Sequence, residues 1–433
     1  FVAIVTLSIL MVVHEFGHLF VARRCGIKVQ RFQIGFGKPL VSWNDSLGTQ
    51  YVFAPILLGA YVKMLDEREG NVDQNEIHMA HNRKSVWERI AVAAAGPAAN
   101  FLLAIGVFWF LFFSGESGYA PIIEDIKPST PAYAAGMQVG QEIVSVGGTN
   151  TPTVQALGFH LLDYLGETAS ITVVTQDPLS QLKKSYSVYI EQWLAGVDNP
   201  DLFGGLGIKI YHPPVIPVVG KVVSGSAAEL AGFSAGDIIV KADDKEIKLW
   251  SDWVRYVRER PSTSIRVQYL RNEGLRSTKL VPVASKDDQG NLIGRVGMWV
   301  ASPTVPQEMI RQFDRSLMGA LAASVVRTYD LTIFTLKSIK KMLVGLISPK
   351  NLGGPITIAK AATASALSGV DAYLSFLALL SVSLGVLNLL PIPILDGGHI
   401  LYYSLEVLIG HPVSERIQVI GYQLGMFLLF GLM

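Results

Sequence analysis

The sequence predicts a polytopic α-helical membrane protein with four transmembrane helices, two extracytoplasmic α+β domains between the second and third of them, and a β-hairpin in the first loop. Three observations support this fold class. Half of the 433 residues are hydrophobic and only 16% are charged, whereas soluble domains carry about 25% charged residues. Apolar runs of the roughly 20 residues that a bilayer core requires recur along the chain. Between two of these runs lies a long polar segment with an internal repeat.

The apolar runs divide the chain into predicted segments. In order, these are a first transmembrane helix over 1–24, a cytoplasmic loop over 25–89, a second transmembrane helix over 90–113, two domains over 114–203 and 204–302, amphipathic surface helices and a linker over 303–371, a third transmembrane helix over 372–396, a cytoplasmic loop over 397–412 and a fourth transmembrane helix over 413–433. The first run is longer than a signal-peptide core of about 7–15 residues and has no small-residue cleavage site. It is therefore predicted to remain as a span.

Charge and cysteine content narrow the possible functions and set the orientation. The formal net charge of +1 gives no indication of a nucleic-acid partner, and the single cysteine, Cys25, cannot form an internal disulfide. Ten Lys and Arg residues lie between positions 23 and 89. By the positive-inside rule this loop is cytoplasmic. The first helix then runs inward, and the repeat-containing segment lies outside the cytoplasm.

A metal-binding motif lies within the first span, where His14, Glu15 and His18 form an H-E-x-x-H pattern. Residues four apart share one face of a helix, so the two histidines can chelate one ion. Catalytic zinc normally has three protein ligands and a water, and the glutamate of this motif acts as general base in metalloproteases. Such a short pattern can also arise by chance. However, each ionisable group in a bilayer costs on the order of 2.5–3.5 kcal/mol, which favours a functional reason for its presence.

The third ligand is predicted at the end of the third span. Pro391 and Pro393 each remove a backbone donor and break the helix, and Asp396 follows at a depth comparable to that of His18. Zn²⁺ with two neutral histidines, one carboxylate and one hydroxide carries no net charge, which suits a poorly hydrated site. The alternative is that Asp396 caps the fourth helix or lies in a turn.

The segment 316–347 is apolar overall but contains several charged residues. Its leucines and isoleucine fall on one helical stripe with the lysines off it, which is typical of a helix lying on the membrane surface. If this segment crossed the bilayer, the following span would run the other way and place Asp396 on the opposite side from His18. Closure of the metal site therefore favours four spans.

Five motifs together match a known family. They are His14–His18, 58–67, 95–100, 353–355 and 388–397. On these residues the chain resembles the site-2 family of intramembrane metalloproteases, with matches along almost its whole length. Ala60 is a departure, because the family is expected to have a glycine there. The resemblance implies zinc-dependent hydrolysis of a peptide bond within or near a transmembrane helix, in the inner membrane of a bacterium.

Residues 51–64 are rich in β-branched and aromatic side chains and are interrupted by Pro55 and Gly59, which predicts a β-hairpin. An edge strand near the metal could hold an unwound substrate segment by β-augmentation. The resemblance implies a membrane-associated hairpin, and a purely structural hairpin is the alternative. The candidate substrate-binding residues are Gly59, Tyr61, Val62 and Met64 in this segment and Asn388 in the third span. Asn388 could equally satisfy backbone groups that the prolines free.

The extracytoplasmic segment contains two copies of one pattern. Residues 131–143 align with residues 227–239 at a constant offset of 96, which indicates tandem domains. The pattern A-G-x-x-x-G, a short helix that turns into a strand through glycines, resembles bacterial PDZ domains. Such domains bind extended peptide termini along a strand edge. Alternatively the pair acts as a steric filter that admits substrates already trimmed on their outer side, and the family resemblance favours this filter.

These features together predict an intramembrane zinc endopeptidase. His14, His18 and Asp396 are predicted to hold the zinc ion, and Glu15 to take the proton of the attacking water. The resemblance implies a trimmed single-span anti-sigma factor as substrate in envelope stress signalling, with remnant signal peptides as further substrates. It also implies an active site toward the cytoplasm and periplasmic PDZ-like domains. Two other classes are a PDZ membrane scaffold, which has no use for three converging metal ligands, and a metal transporter, which would not need Glu15.

Overall fold

The computed structural model describes residues 2–287, 290–301, 306–348 and 354–432. Its α-helices are α1 Val2–Arg24, α2 Val86–Phe113, α3 Pro131–Ala134, α4 Val154–Leu162, α5 Leu202–Leu206, α6 Ala227–Leu230, α7 Trp250–Arg258, α8 Leu317–Leu343, α9 Pro355–Ser368, α10 Val370–Leu389, α11 Asp396–Ile409 and α12 Glu415–Leu432. Of the five family motifs, the one at 353–355 is described only in part, because Gly353 lies outside the described residues.

The strands form several small sheets. They are β1 Val29–Phe36, β2 Val41–Asn44, β3 Gln50–Phe53, β4 Ile56–Met64, β5 Glu116–Tyr119, β6 Ile123–Ile126, β7 Glu142–Val146, β8 Thr149–Asn150, β9 Ala169–Gln176, β10 Lys183–Ile190, β11 Ile208–Ile210, β12 Val219–Val222, β13 Ile238–Ala242, β14 Lys245–Glu246, β15 Ile265–Arg271, β16 Gly274–Leu280, β17 Val283–Lys286, β18 Leu292–Arg295, β19 Met298–Val300 and β20 Ile310–Phe313.

The chain divides into two compact units. The first comprises Phe1–Gly118, Ile126–Ile208 and Gln312–Met433, and the second comprises Tyr119–Asp125 and Lys209–Arg311. The first unit therefore holds the long helices, the sheet of the first loop and the body of the first domain. The segment Tyr119–Asp125, predicted to belong to the first domain, is part of the second unit, where Glu124 forms an ion pair with Lys209 at 2.8 Å.

Four helices in the described ranges are long and apolar enough to cross a membrane, namely α1, α2, α8 and α10. Their number equals the predicted number of spans, but the set differs, because it includes α8 and omits α12. Helix α10 ends at Leu389, seven residues before the predicted end of the third span at Asp396. Pro391 and Pro393 account for this early end, because proline cannot continue a hydrogen-bonded helix.

One end of α8 contacts the C-terminal end of α2, and the other end contacts the first α+β domain, which follows α2 in the chain. At its start, the indole of Trp109 near the end of α2 donates a hydrogen bond to the carbonyl of Leu317 at 3.0 Å. At its other end, Lys341 donates to the carbonyl of Leu165 and forms an ion pair with Glu167, each at 2.9 Å. A helix of 27 residues is about 40 Å long. Its two ends are therefore far apart, yet each contacts α2 or the domain that α2 leads into.

The long helices pack around a shared apolar core. Its buried residues come from α2, α8 and α10 and are Ala104, Phe108, Leu111, Leu331, Ala378, Val382 and Val386. A second buried cluster joins the C-terminal half of α1 to the first-loop sheet, with Leu19 and Ala22 of α1 against Val29 and Phe32 of β1. This second cluster fixes the sheet beside the H-E-x-x-H motif.

The first-loop sheet has the strand order β2-β3-β1-β4, which corrects the predicted hairpin. Residues 51–64 do form two strands, but β3 and β4 lie on opposite sides of β1 and do not pair with each other. The short link between them crosses the end of β1, where the Ala54 N–H donates to the Ile34 carbonyl at 2.9 Å. Pro55 in this link has no donor and the link contains no glycine for a tight two-residue turn. The paired hairpin is instead β2 with β3.

The two α+β domains repeat the same order of elements. In the first, β7–β10 form a sheet with α3 and α4, and in the second β13–β16 form a sheet with α6 and α7. The glycines of the repeated pattern, Gly136 and Gly232, have φ of 72° and 81°. This left-handed conformation strains residues with a Cβ, so the pattern requires glycine where each short helix turns toward its strand.

The two domains differ in charge at a buried position of the repeat. In the second domain Asp237 is fully buried and accepts two hydrogen bonds from Arg271, each at 2.7 Å. At an offset of 96 the first domain has Gln141 and Thr175, and the threonine hydroxyl donates to the amide oxygen at 2.7 Å. A buried ion pair in one copy thus corresponds to a neutral hydrogen bond in the other.

Candidate metal centre

The three predicted ligands lie together. His14 and His18 are on one face of α1, and Asp396 is the first residue of α11. Asp396 Oδ2 lies 3.1 Å from His14 Nε2, and Asp396 Oδ1 lies 3.5 Å from His18 Nε2. The two Nε2 atoms are 3.3 Å apart. Within the described ranges this is the one group of three or more such side chains whose ligand atoms converge, all within 4.8 Å of one another.

The residues at this site fit a zinc ion. Both histidines are only 8% exposed, and the buried Oδ2 of Asp396 has no hydrogen-bond partner. A buried carboxylate oxygen without a partner is costly unless a cation completes its environment. Two imidazole nitrogens and one carboxylate oxygen form a donor set that catalytic zinc uses, with one position left for water.

Backbone and side-chain groups of α2 contact the outer nitrogens of both histidines. His18 Nδ1 lies 2.7 Å from the carbonyl oxygen of Val92, so Nδ1 carries a proton and the lone pair of Nε2 faces the site. His14 Nδ1 lies 3.1 Å from the side-chain amide of Asn100. Hydrogen bonds to the ring nitrogen that faces away from the metal orient metal-binding imidazoles.

Two glycines allow α1 and α2 to approach closely enough for these contacts. A Cβ at Gly17 would lie 2.3 Å from the carbonyl oxygen of Ala95, and a Cβ at Gly96 would lie 2.4 Å from His18 Nε2. Both distances are far below ordinary van der Waals contact. The Ala-Gly-Pro motif that begins at Ala95 therefore provides a gap in α2 into which the two imidazoles fit.

Asp396 is positioned by a compact turn between α10 and α11. A Cβ at Gly397 would lie 2.2 Å from the carbonyl oxygen of Leu390, and a Cβ at Gly398 would lie 2.4 Å from that of Ile392. The turn can close only with glycine at both positions. The N-cap of α11 is Leu395, so the alternative role of Asp396 as a helix cap is not what the structure shows.

Glu15 lies close to the metal ligands and to the first-loop sheet. Its carboxylate interacts electrostatically with His14, His18 and Asp396 and with the backbone of Val62 in β4. Strand β4 is at one end of the sheet order, and no described strand pairs with its outer side. A free strand edge thus runs beside the residue predicted to act as general base.

The predicted substrate-binding residues of β4 mostly have side chains engaged within the protein. Tyr61 donates a hydrogen bond to the amide oxygen of Gln33 at 3.0 Å, and Val62 and Met64 pack on the cluster between the sheet and α1. Gly59 is buried, and a Cβ there would lie 3.3 Å from the Met11 side chain of α1. Any contact of these residues with a substrate is therefore expected through the main chain of β4.

Asn388 lies in the last turn of α10 and is half-buried. In the part of the chain that the structure describes, its side chain makes no hydrogen bond with the backbone groups near Pro391 and Pro393. The alternative role for Asn388, repair of the backbone after the helix breaks, therefore has no contact to support it. Its amide is available to another chain.

Comparisons with known proteins assign the family. The sequence pattern of peptidase family M50 matches residues 2–432. The chain belongs to peptidase family M50. This M50 peptidase is 41% identical over 433 residues to the regulator of sigma-E protease RseP of Escherichia coli strain K12, covering 99% of this chain and 95% of that protein. It is 35% identical to a putative zinc metalloprotease of Vibrio cholerae, with the same coverage.

Among solved structures, a PDZ domain of an SdrC-like protein from Listeria monocytogenes matches with 18% identity and a TM-score of 0.17, covering 21% of this chain and 92% of that domain.

Family membership and the full-length relatives confirm the predicted activity class. The protein is an intramembrane zinc metalloendopeptidase of the site-2 type.

The structure also shows site contacts of this M50 peptidase that the sequence prediction did not assign. Asn100 belongs to the motif at 95–100, which by itself predicts no role for it, although a polar amide within an apolar span is a signal in itself. The side chains of Arg89 and Glu406 form a two-point ion pair at 2.6 and 3.1 Å that ties α2 to α11. These residues are 317 positions apart in the chain, and no local pattern links them.

Proposed function

We propose that this M50 peptidase cleaves single-span membrane proteins within the membrane, with His14, His18 and Asp396 as its zinc ligands and Glu15 as its general base. The observation that carries the proposal is the convergence of three buried ligand atoms from distant parts of the chain beside the Glu15 carboxylate. A scaffold protein would not need this convergence.

The chemistry follows from the positions of the side chains. A bound zinc ion would supply an acidified water and polarise the scissile carbonyl. Glu15 is next to His14 in the chain and close to the charges of His18 and Asp396, so it is placed to take the proton of that water. It would then pass the proton to the leaving amine, as a general base that becomes a general acid.

The substrate is proposed to lie as an extended strand along β4. Peptide bonds in a helix are protected by their internal hydrogen bonds, so a transmembrane substrate must unwind before cleavage. The unpaired edge of β4 offers the backbone groups to which an unwound segment can bond, directly beside Glu15. Asn388, with its unengaged amide, is proposed to bind the same segment.

The contacts of α8 support the proposed membrane topology. One end of α8 contacts Trp109 at the end of α2, and the other contacts Glu167 in the first α+β domain. A spanning helix would have its ends on opposite sides of the bilayer, whereas both of these contacts lie on the side to which α2 leads. We therefore infer that α8 lies on the outer membrane surface and that α1, α2, α10 and α12 cross the bilayer. The basic first loop supports a metal site toward the cytoplasm and α+β domains in the periplasm.

The names of the relatives suggest the substrates. RseP of Escherichia coli is named as a regulator of sigma-E, so we propose that this enzyme acts on an anti-sigma factor trimmed on its outer side, and on remnant signal peptides. The second domain has a groove of ≈ 340 Å³ between α7 and the segment 293–299, with Val254 in its wall. At the equivalent place in the first domain, Phe203 lies against Gly158. These features favour peptide binding by the second domain and a filtering role for the first.

Exchange of Glu15 for Gln tests the function. The variant retains all three ligands, so it is expected to bind zinc normally and to lose cleavage of a tagged single-span substrate in detergent. Glu191→Gln, an exposed residue of the first domain, is the matched control and should cleave normally. Normal cleavage by the Glu15 variant would overturn the mechanism, and zinc flux into proteoliposomes without any cleavage would favour a transporter.

A further inference from the structure

Asn100 is a fully buried polar residue in the middle of an apolar helix. Its side-chain amide reaches His14 on α1, where Nδ2 lies 3.1 Å from His14 Nδ1. Its backbone carbonyl accepts a hydrogen bond from the hydroxyl of Ser381 on α10 at 2.8 Å. Asn100 therefore connects the helix that carries the two histidines with the helix that leads to Asp396.

The orientation of the Asn100 amide accounts for one unpaired oxygen. With Nδ2 toward His14, the Asn100 Oδ1 is buried and has no hydrogen-bond partner. In that state His14 Nδ1 would accept a hydrogen bond, and the proton of the neutral ring would be on Nε2, which faces the metal position. Rotation of the amide by half a turn exchanges nitrogen and oxygen without moving the side chain. Oδ1 then accepts a hydrogen bond from Nδ1–H, and the Nε2 lone pair is free for a metal.

The two histidines would then be held in the same tautomer by different kinds of group. For His18 the acceptor is the main-chain carbonyl of Val92, at 2.7 Å. For His14 it is the side chain of Asn100, which is therefore the one of the two acceptors that a substitution can remove. A buried imidazole N–H without an acceptor would cost free energy and would release the ring from its orientation.

We propose that Asn100 is the positioning residue of His14: its amide oxygen accepts the Nδ1 proton and thereby presents Nε2 to the metal. The proposal rests on the proposed function, because it assumes that His14 is a zinc ligand. It gives the asparagine of the Ala95–Asn100 motif a role that is separate from helix packing. Removal of the acceptor is expected to weaken zinc binding about 10–100-fold, the usual effect of losing a group that orients a metal ligand.

The experiment measures zinc affinity of the full-length protein in detergent by competition with a chromophoric chelator, without any substrate. Asn100→Leu and Asn100→Ala remove the acceptor, whereas Asn100→Asp keeps an oxygen at the same place. Ser381→Ala is the matched control, because it removes the hydrogen bond to the Asn100 backbone and leaves the amide intact. We expect the Leu and Ala variants to lose about 10–100-fold in affinity. The Asp variant and the Ser381 control should stay close to the wild-type affinity.

The possible outcomes separate this proposal from the proposed function. If wild-type protein binds no zinc, the proposed function fails. If wild-type protein binds zinc and the Ala variant binds it equally well, the role of Asn100 is wrong and the proposed function stands. If the Asp and Ala variants lose the same affinity, Asn100 acts through packing and the proposal is also overturned. Because Asn100→Ala removes side-chain volume and adds none, it provides the comparison even if the Leu variant does not fold.

Discussion

Gly96 offers a direct test of how the metal centre is assembled, because it lies where α2 passes the two histidines. In Gly96→Ala the new Cβ would lie 2.4 Å from His18 Nε2 and 2.7 Å from His14 Nε2. Ordinary contact begins at 3.4 Å, so α2 and α1 would have to separate by about 1 Å. Metal-ligand distances tolerate deviations of only about 0.2 Å. The methyl group would therefore displace the imidazoles from any common position around a metal.

The effect on folding is expected to be much smaller than the effect on zinc. Overpacking a well-packed contact costs about 1–3 kcal/mol. Replacing a helical glycine with alanine also stabilises the helix by about 1 kcal/mol, because alanine has the higher helix propensity. The net destabilisation of up to about 2 kcal/mol is below the typical stability of a domain. Zinc affinity, in contrast, should fall by on the order of 100-fold or more, since the ligand atoms themselves are displaced.

The assay compares zinc affinity and cleavage of a tagged single-span substrate for two alanine variants of α2. Gly106→Ala is the matched control, because a Cβ there meets no atom within 4 Å. It should bind zinc and cleave like the wild-type protein. Thermal unfolding of the metal-free proteins reports whether Gly96→Ala still folds. Equal zinc affinity for the two folded variants would refute the view that Gly96 provides the space for the histidines.

Two further predictions concern charged pairs outside the membrane. Arg271→Leu leaves the fully buried Asp237 without its cationic partner and should destabilise the second domain by about 3 kcal/mol. The matched change in the first domain, Thr175→Val, should cost about 1 kcal/mol. Hydrogen exchange in the intact protein measures both effects, and equal destabilisation of the two domains would contradict the reasoning. Burial raises the pKa of Asp66, but hydrogen bonds from Arg68 outweigh it and hold that pKa below its ordinary value. The pair should therefore protect the first loop from trypsin above about pH 4 and lose this effect as the pH falls further. Asp66→Asn should remove the protection at pH 6, and unchanged cleavage by trypsin would count against the pair.

The convergence of His14, His18 and Asp396 could be predicted from sequence because each position depends on a local rule. The spacing of His14 and His18 encodes a shared helix face, and the prolines before Asp396 mark where a helix must end. The pairing of β3 and β4 was predicted wrongly, because strand neighbours depend on β1, which lies about 20 residues upstream of β3. Composition alone also cannot locate α8, since a helix of that hydropathy can cross a bilayer or lie on it. Contacts at its two ends support the surface position proposed above.

The buried ion pair of the second domain bears on how a chain with two similar neighbouring domains folds. Tandem repeats can misassemble when a strand of one copy enters the sheet of the other. If β9 replaced β15, Asp237 would face Thr175 and its charge would be buried without a cation. If β15 replaced β9, Arg271 would face the neutral Gln141. Each mismatch carries the cost of an uncompensated charge, so this difference in charge between the copies disfavours strand exchange and helps each domain to recruit its own strand.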